Sequence, residues 1–129
     1  MLSSLEGFKS VVLDQLGEGV IVADADGRIV SVNRAAEEIH GRSLIGGAPG
    51  SYSDDYQLLT MDDDPHPPEE LPLARAVLRG EDVVDAPWKI RRPDGTIVIA
   101  VGTARPVRNA EGIQIGSVLT LRDETSRVN

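Results

Sequence analysis

No cysteine occurs anywhere in the chain, which removes disulfides, thiolate metal sites, thiol catalysis and cysteinyl-flavin photochemistry. Aromatic rings are nearly as scarce. Phe8, Tyr52, Tyr56 and Trp88 are the full set, so aliphatic side chains must fill most of the core. No apolar run approaches the roughly 18 residues of a membrane-spanning helix, and no signal peptide follows Met1. Positive charge is in deficit: 13 Lys and Arg against 21 Asp and Glu leave a formal net charge of -8. Such a surface repels a phosphate backbone, so no direct nucleic-acid partner is expected. Enzyme signatures are missing too, with no G-x-S-x-G, no H-E-x-x-H, and no lysine behind the glycines of Gly46-Gly47-Ala48-Pro49-Gly50. The acidic groups Asp54-Asp55 and Asp62 to Asp64 lack the alternating spacing of a calcium loop and read as solvated loop, with no metal site. These absences point to a cytoplasmic piece without membrane insertion, whether free or the cytoplasmic part of an anchored parent.

At 129 residues the chain is one domain by length. Leu2, Leu5, Phe8, Val12 and Leu16 recur at three- and four-residue spacing and predict an amphipathic helix over 1–16, stopped by Gly17 and Gly19. Val11 and Leu13 lie off that stripe and give it surplus apolar surface. Two β-rich runs, 19–24 and 28–33, flank Ala25-Asp26-Gly27, a hairpin turn. Asn33 then stands where its side chain can cap a short helix that ends at Gly41. Residues 42–66 read as loop and short helical turns, ordered around Tyr56 to Leu59. Pro67-Pro68-Glu69-Glu70 is a good helix start, and that helix runs through Leu73, Val77 and Leu78 to Gly80, with Pro72 within its first turns. Three further runs, 83–92, 96–107 and 113–123, are separated by turns at Pro93-Asp94-Gly95 and Asn109 to Gly112. The order predicts an α+β domain on one antiparallel sheet.

The stretches "GVIVADADGRIVSVNRAAEEIHG", "PPEELPLARAVLRGE", "IRRPDGTIVIAVGTARPV" and "GSVLTLRDET", in this order and spacing, resemble a PAS sensor domain over residues 17–125. The resemblance implies a five-stranded antiparallel sheet with helices over one face, preceded here by the N-terminal amphipathic helix. It also implies a non-catalytic role in signal transduction, in which the domain relays the occupancy or packing of a small pocket to a neighbouring effector. A histidine kinase of a bacterial two-component system is the first expectation for that effector. A stand-alone ligand carrier or small enzyme using the same pocket is the rival reading. Asp123 and Thr125 match the family's D-x-T ending, after which a linker to the effector is expected, so 126–129 read as the start of that linker in a chain cut from a longer protein.

Strand alternation sets the candidate pocket. Val84, Ala86, Trp88 and Ile90 share one face of their strand, opposite Asp85, Lys89 and Arg91; Ile115, Ser117, Leu119 and Leu121 form the apolar face of the last. The middle strand is ambiguous, with bulky Ile97, Ile99 and Val101 on one side and small Val98, Ala100, Gly102 and Ala104 on the other. The family's register turns the small side toward the pocket. Ile21, Ala23 and Ile29 from the first hairpin complete the sheet side, and Ile39 and Val77 face them from the helices. A filled core and an apolar ligand cavity both satisfy this pattern. Any ligand would be small and largely apolar, with Ser117 as its main hydrogen-bonding group. His40 and His66 read as surface or capping residues, and Leu121 occupies the position where light-oxygen-voltage relatives carry glutamine, so neither haem nor flavin is expected. Leu5, Phe8, Val12 and Leu16 would pack against the strip Ile97, Ile99 and Val101, or against a second copy of the chain as a homodimer.

Overall fold

The computed structural model describes residues 11–127; Leu2, Leu5 and Phe8 lie outside them. Residues 11–15 are helical, and the chain leaves this turn through Leu16 and Gly17, where the Glu18 amide donates to the Leu13 carbonyl at 2.9 Å. The strands are β1 (Gly19–Asp24), β2 (Ile29–Val32), β3 (Leu58–Leu59), β4 (Val83–Arg91), β5 (Ile97–Arg108) and β6 (Gln114–Asp123). They form one antiparallel sheet in the order β2-β1-β6-β5-β4-β3. After the first hairpin come helices α1 (Arg34–His40), α2 (Tyr52–Tyr56) and α3 (Pro72–Arg79), with 3₁₀ turns at Pro49–Ser51, Pro68–Glu70 and Thr125–Arg127. α1 packs on β1 and β6, and α3 on β4, β5 and β6.

The turns follow from residue chemistry. Gly27 and Gly95 each sit at φ 89°, a conformation that the Cβ of any other L-residue disfavours. Asn33 does more than cap. Its Oδ1 accepts from the Ala36 amide at 3.0 Å and from the Val20 amide at 2.8 Å, while its Nδ2 donates to the Glu18 carbonyl at 2.9 Å. One side chain thus opens α1 and ties it to the start of β1.

The alternation holds where it matters most for the core: Trp88, Ile90, Val98, Ala100, Ala104, Ser117, Leu119 and Leu121 are buried on the helix-covered face. It fails at Val84 and Ile115, and the strand count and one helix also differ from expectation. The sheet has six strands rather than five, because Leu58 and Leu59 pair with Ile90 and Lys89. Val84 points outward and is 59% exposed, while Val83 is buried. An extra residue shifts the β4–β5 register between Val83 and Ala86, with Asp85 held at φ 51°, and such a bulge reverses which side chains face inward. Ile115, 52% exposed, is displaced the same way by the register shift opposite Val107 and Arg108. The helix expected from Pro67 is also broken. Pro68–Glu70 form one 3₁₀ turn, Leu71 is extended at ψ 145°, and α3 begins afresh with Pro72 at its first position. Proline disfavours a helical residue before it and suits the first helical turn, so the break falls at Leu71.

Candidate functional site

Between the sheet and the helical layer lies a cavity of about 30 Å³. Ile21, Ile29, Leu58, Trp88 and Leu119 line it from the sheet; His40, Leu44, Tyr52, Tyr56, Leu71, Pro72 and Leu73 line it from the helices and their connections. A water needs ~10–15 Å³ on this measure, so the space admits about two. Drug- and cofactor-sized ligands occupy pockets of roughly 300–1,000 Å³. A haem or an isoalloxazine ring does not fit between these side chains. Among the described residues, no group of three or more His, Asp or Glu is placed to hold a metal ion.

The polar edges of the cavity are sharply defined. The Tyr52 hydroxyl donates to the Gly27 carbonyl and the Tyr56 hydroxyl to the Leu44 carbonyl. These bonds fasten the connection between α1 and α2 against the first hairpin, and the two rings stack at 6.3 Å. Burial pushes the ionisation of both phenols up, most strongly for Tyr52. His40 is 3% exposed. Its Nδ1 lies 2.9 Å from the Ala36 carbonyl, one turn back on α1. That carbonyl can only accept, so Nδ1 carries the proton and Nε2 presents a lone pair. Burial lowers its pKa to about 4; the Ala36 bond opposes the shift, and the charges of Arg42 and Arg92 add to it. Trp88 is packed against Gly102, where an added Cβ would stand 2.7 Å from the indole ring and 2.9 Å from the Thr120 carbonyl. Its Nε1 is buried and meets no acceptor among the described residues.

Of the residues the alternation singled out, Ile21, Ile29, Trp88 and Leu119 border the cavity. Ala23, Ile39, Ile90, Ala100, Ala104 and Leu121 belong to the surrounding core, and Val77 packs at its edge. Gly102 lies beneath Trp88. Ser117 is fully buried and receives a hydrogen bond from Gln114 Nε2, which also reaches the Ala76 carbonyl of α3; it is not a lining residue. His40, expected at the surface, is a buried wall of the cavity. The contribution of 44–73 came through no periodic pattern, yet Tyr52 and Tyr56 carry a signal: half of the chain's four aromatic residues stand one helical turn apart. Ile97, Ile99 and Val101 face away from the helices and are partly exposed, and Val12 and Leu16 are exposed, Leu16 at 72%. Asp123 Oδ1 accepts from both the Thr125 amide and hydroxyl, and Thr125 Oγ1 in turn accepts from the Ile99 amide at 2.9 Å.

A family profile described as the PAS fold matches residues 13–129. Among solved structures, the PAS domain of a protein from Colwellia psychrerythraea aligns at a TM-score of 0.64 and 18% identity, covering 95% of this chain and 99% of that one. The PAS domain of the fruit-fly ELK potassium channel aligns at 0.67 and 11%, covering 92% and 96%. The light-state dimer of the fungal blue-light photoreceptor Vivid aligns at 0.63 and 18%, covering 83% and 78%. A search of curated protein sequences returns no match. Identities this low carry the fold alone.

Proposed function

Because the chain belongs to the PAS-fold family, a family of signalling modules, we propose that it senses the occupancy or packing of its small cavity and relays it through β5 to a neighbouring effector. A histidine kinase is the first candidate for that effector. The observation that supports this reading is the position of β5. Its inner face supports Trp88, a wall of the cavity, through Gly102. Its outer face carries Ile97, Ile99 and Val101. Its start is bonded to the exit of the chain, with the Ile99 amide held by Thr125 and the Ile99 carbonyl receiving the Glu124 amide at 2.8 Å. The ladder partner of Trp88 is Ala100, one residue from both Val101 of the outer strip and Ile99, which holds the exit. Asp123 and Thr125 would serve as the output hinge.

No lining residue carries a charge, and the neutral His40 already spends Nδ1 on a backbone carbonyl. That leaves little acid-base machinery in the cavity, which favours sensing over catalysis. The outer strip and the apolar stripe of 1–16 are complementary surfaces, and we take a homodimer through them as the working assembly. Burying Phe8 with two or three aliphatic side chains per chain gives on the order of 5–8 kcal/mol before the entropy of association, enough for a weak to moderate dimer. The test is sedimentation of the intact chain beside Phe8→Glu. A dimer at high micromolar concentration that becomes monomeric on substitution supports the assembly. A monomeric parent ends it, and a dimeric variant moves the interface elsewhere.

A further inference from the structure

Helix α1 receives two side-chain caps, and they come from different parts of the chain. Asn33 Oδ1 accepts from the Ala36 amide and belongs to the sheet side, since its other side-chain bonds run to Val20 and Glu18 at the head of β1. Asp14 Oδ1 accepts from the Ala35 amide at 3.0 Å and belongs to the helical residues 11–15 ahead of the sheet. Both acceptors suit the first turn of a helix, whose amides have no partner within it and carry partial positive charge. Asp14 is the lighter attachment. Among the described residues, its bond to Ala35 is the one hydrogen bond that joins 11–15 to anything beyond residue 18. An open groove of about 230 Å³, lined by Asp14, Gln15, Arg34, Ala35 and Glu38, runs between the two helical segments. Leu13 is half-buried, and Val11, Val12 and Leu16 are exposed, so modest apolar burial adds to that bond. A single hydrogen bond beside open solvent is exchanged for water at small net cost.

The other end of α1 is the cavity, where His40 is a wall. Seven residues make a rod of about 10 Å, too short to bend without losing its own bonds, so a shift at His40 moves the Ala35 amide. Asn33, whose backbone amide also donates to the Val20 carbonyl, is the pivot. We propose that Asp14 is a releasable latch, through which α1 passes the state of the cavity wall to the segment before the sheet. While latched, residues 11–15 are held on α1. When a change at His40 tilts α1 about Asn33, the Ala35 amide leaves Asp14 and the segment is set free. Linkage makes the coupling reciprocal, so a partner that draws residues 11–15 away loosens the cavity wall. This route leaves the fold at its front, apart from the exit at Thr125, and it rests on the reading of the cavity as the sensing site.

Order parameters of the ¹⁵N-labelled intact chain test the latch, with Asp14→Ala removing the acceptor and Asp14→Asn keeping one. The amides of 11–15 should stay as rigid as the strands in the parent and in Asp14→Asn. In Asp14→Ala they should fall below about 0.6, while Trp88 and Leu119 keep their order. Xenon, which needs no hydrogen bond, probes the cavity and is read at the indole N–H of the single tryptophan, Trp88. It should shift the Trp88, Ala35 and Gln15 resonances in the parent, and the Gln15 shift should be lost in Asp14→Ala. Rigid residues 11–15 in Asp14→Ala overturn the latch. Xenon shifts at Trp88 that stop short of Ala35 and Gln15 also overturn it, and leave the sensing site standing. No response to xenon at any of the three removes the sensing site and the latch with it.

Discussion

His40 and Asn33 bracket α1, and each does its work through one polar group in an otherwise apolar setting. Burial holds His40 neutral, with a folded pKa of about 4 against an ordinary 6.5. The unfolded chain therefore binds the extra proton first as pH falls, and stability drops from about pH 6.5 down to about 4. Between pH 7 and 5, above the range where most carboxylates titrate, the loss should be about 2 kcal/mol. Urea unfolding of the parent and of His40→Phe at both pH values checks this. The variant should lose most of the slope, and an unchanged slope would assign it to other groups. Asn33→Ala removes two acceptor bonds and one donor bond. It leaves the Val20 amide without its partner, and should cost about 2–3 kcal/mol. Asn33→Asp keeps Oδ1 and loses only the bond to the Glu18 carbonyl, so about 1 kcal/mol is expected; equal losses for the two variants would mean that the acceptor bonds contribute little.

At the scale of elements, the bulges set the boundary of what alternation can say. Because β4 gains one residue between Val83 and Ala86, Val83→Ala should cost about 1–3 kcal/mol. Val84→Ala should stay within about 0.5 kcal/mol. Strict alternation demands the reverse order, and denaturation of the two variants decides between them. This is also where the sequence ceases to be legible. The hairpin, the capped α1, the long strands and the inward set from Trp88 to Leu121 follow from period-2 spacing and D-G turns, because each of those signals is local. Asp85 at φ 51° is not a glycine and gives no local warning of the bulge. The cavity wall from Leu44 to Leu73 is likewise built by contacts between segments with no repeat of their own. Tyr52 reaches back to Gly27, Tyr56 to Leu44, and Ser53 to the carbonyls of Leu58 and His66. Half of the candidate site is thus fixed by tertiary hydrogen bonds, while the sheet half is fixed by alternation.

Across the whole molecule, both ends of the described chain are fastened to the core by a side chain. At the front, Asp14 Oδ1 accepts from the Ala35 amide at 3.0 Å, a second cap on α1 supplied by the helical residues before the sheet. At the back, the β5–β6 ladder ends where Ala100 faces Asp123. Thr125 Oγ1 prolongs it by one rung to the Ile99 amide. A covalent continuation beyond Thr125 would feel the sheet through this rung and through the bond from the Glu124 amide to the Ile99 carbonyl at 2.8 Å. Thr125→Val keeps the shape of the side chain and removes the acceptor. The affected amide is at an exposed edge of the fold, so global stability should fall by less than about 1 kcal/mol. Local opening there involves few buried contacts and is free to change independently of the core. Exchange of the Ile99 amide should therefore quicken at least tenfold, while the amides of Trp88 and Leu119 keep their protection. Uniform quickening across the sheet would show that the rung is part of the global fold, and unchanged exchange at Ile99 would show that the exit is held by other contacts.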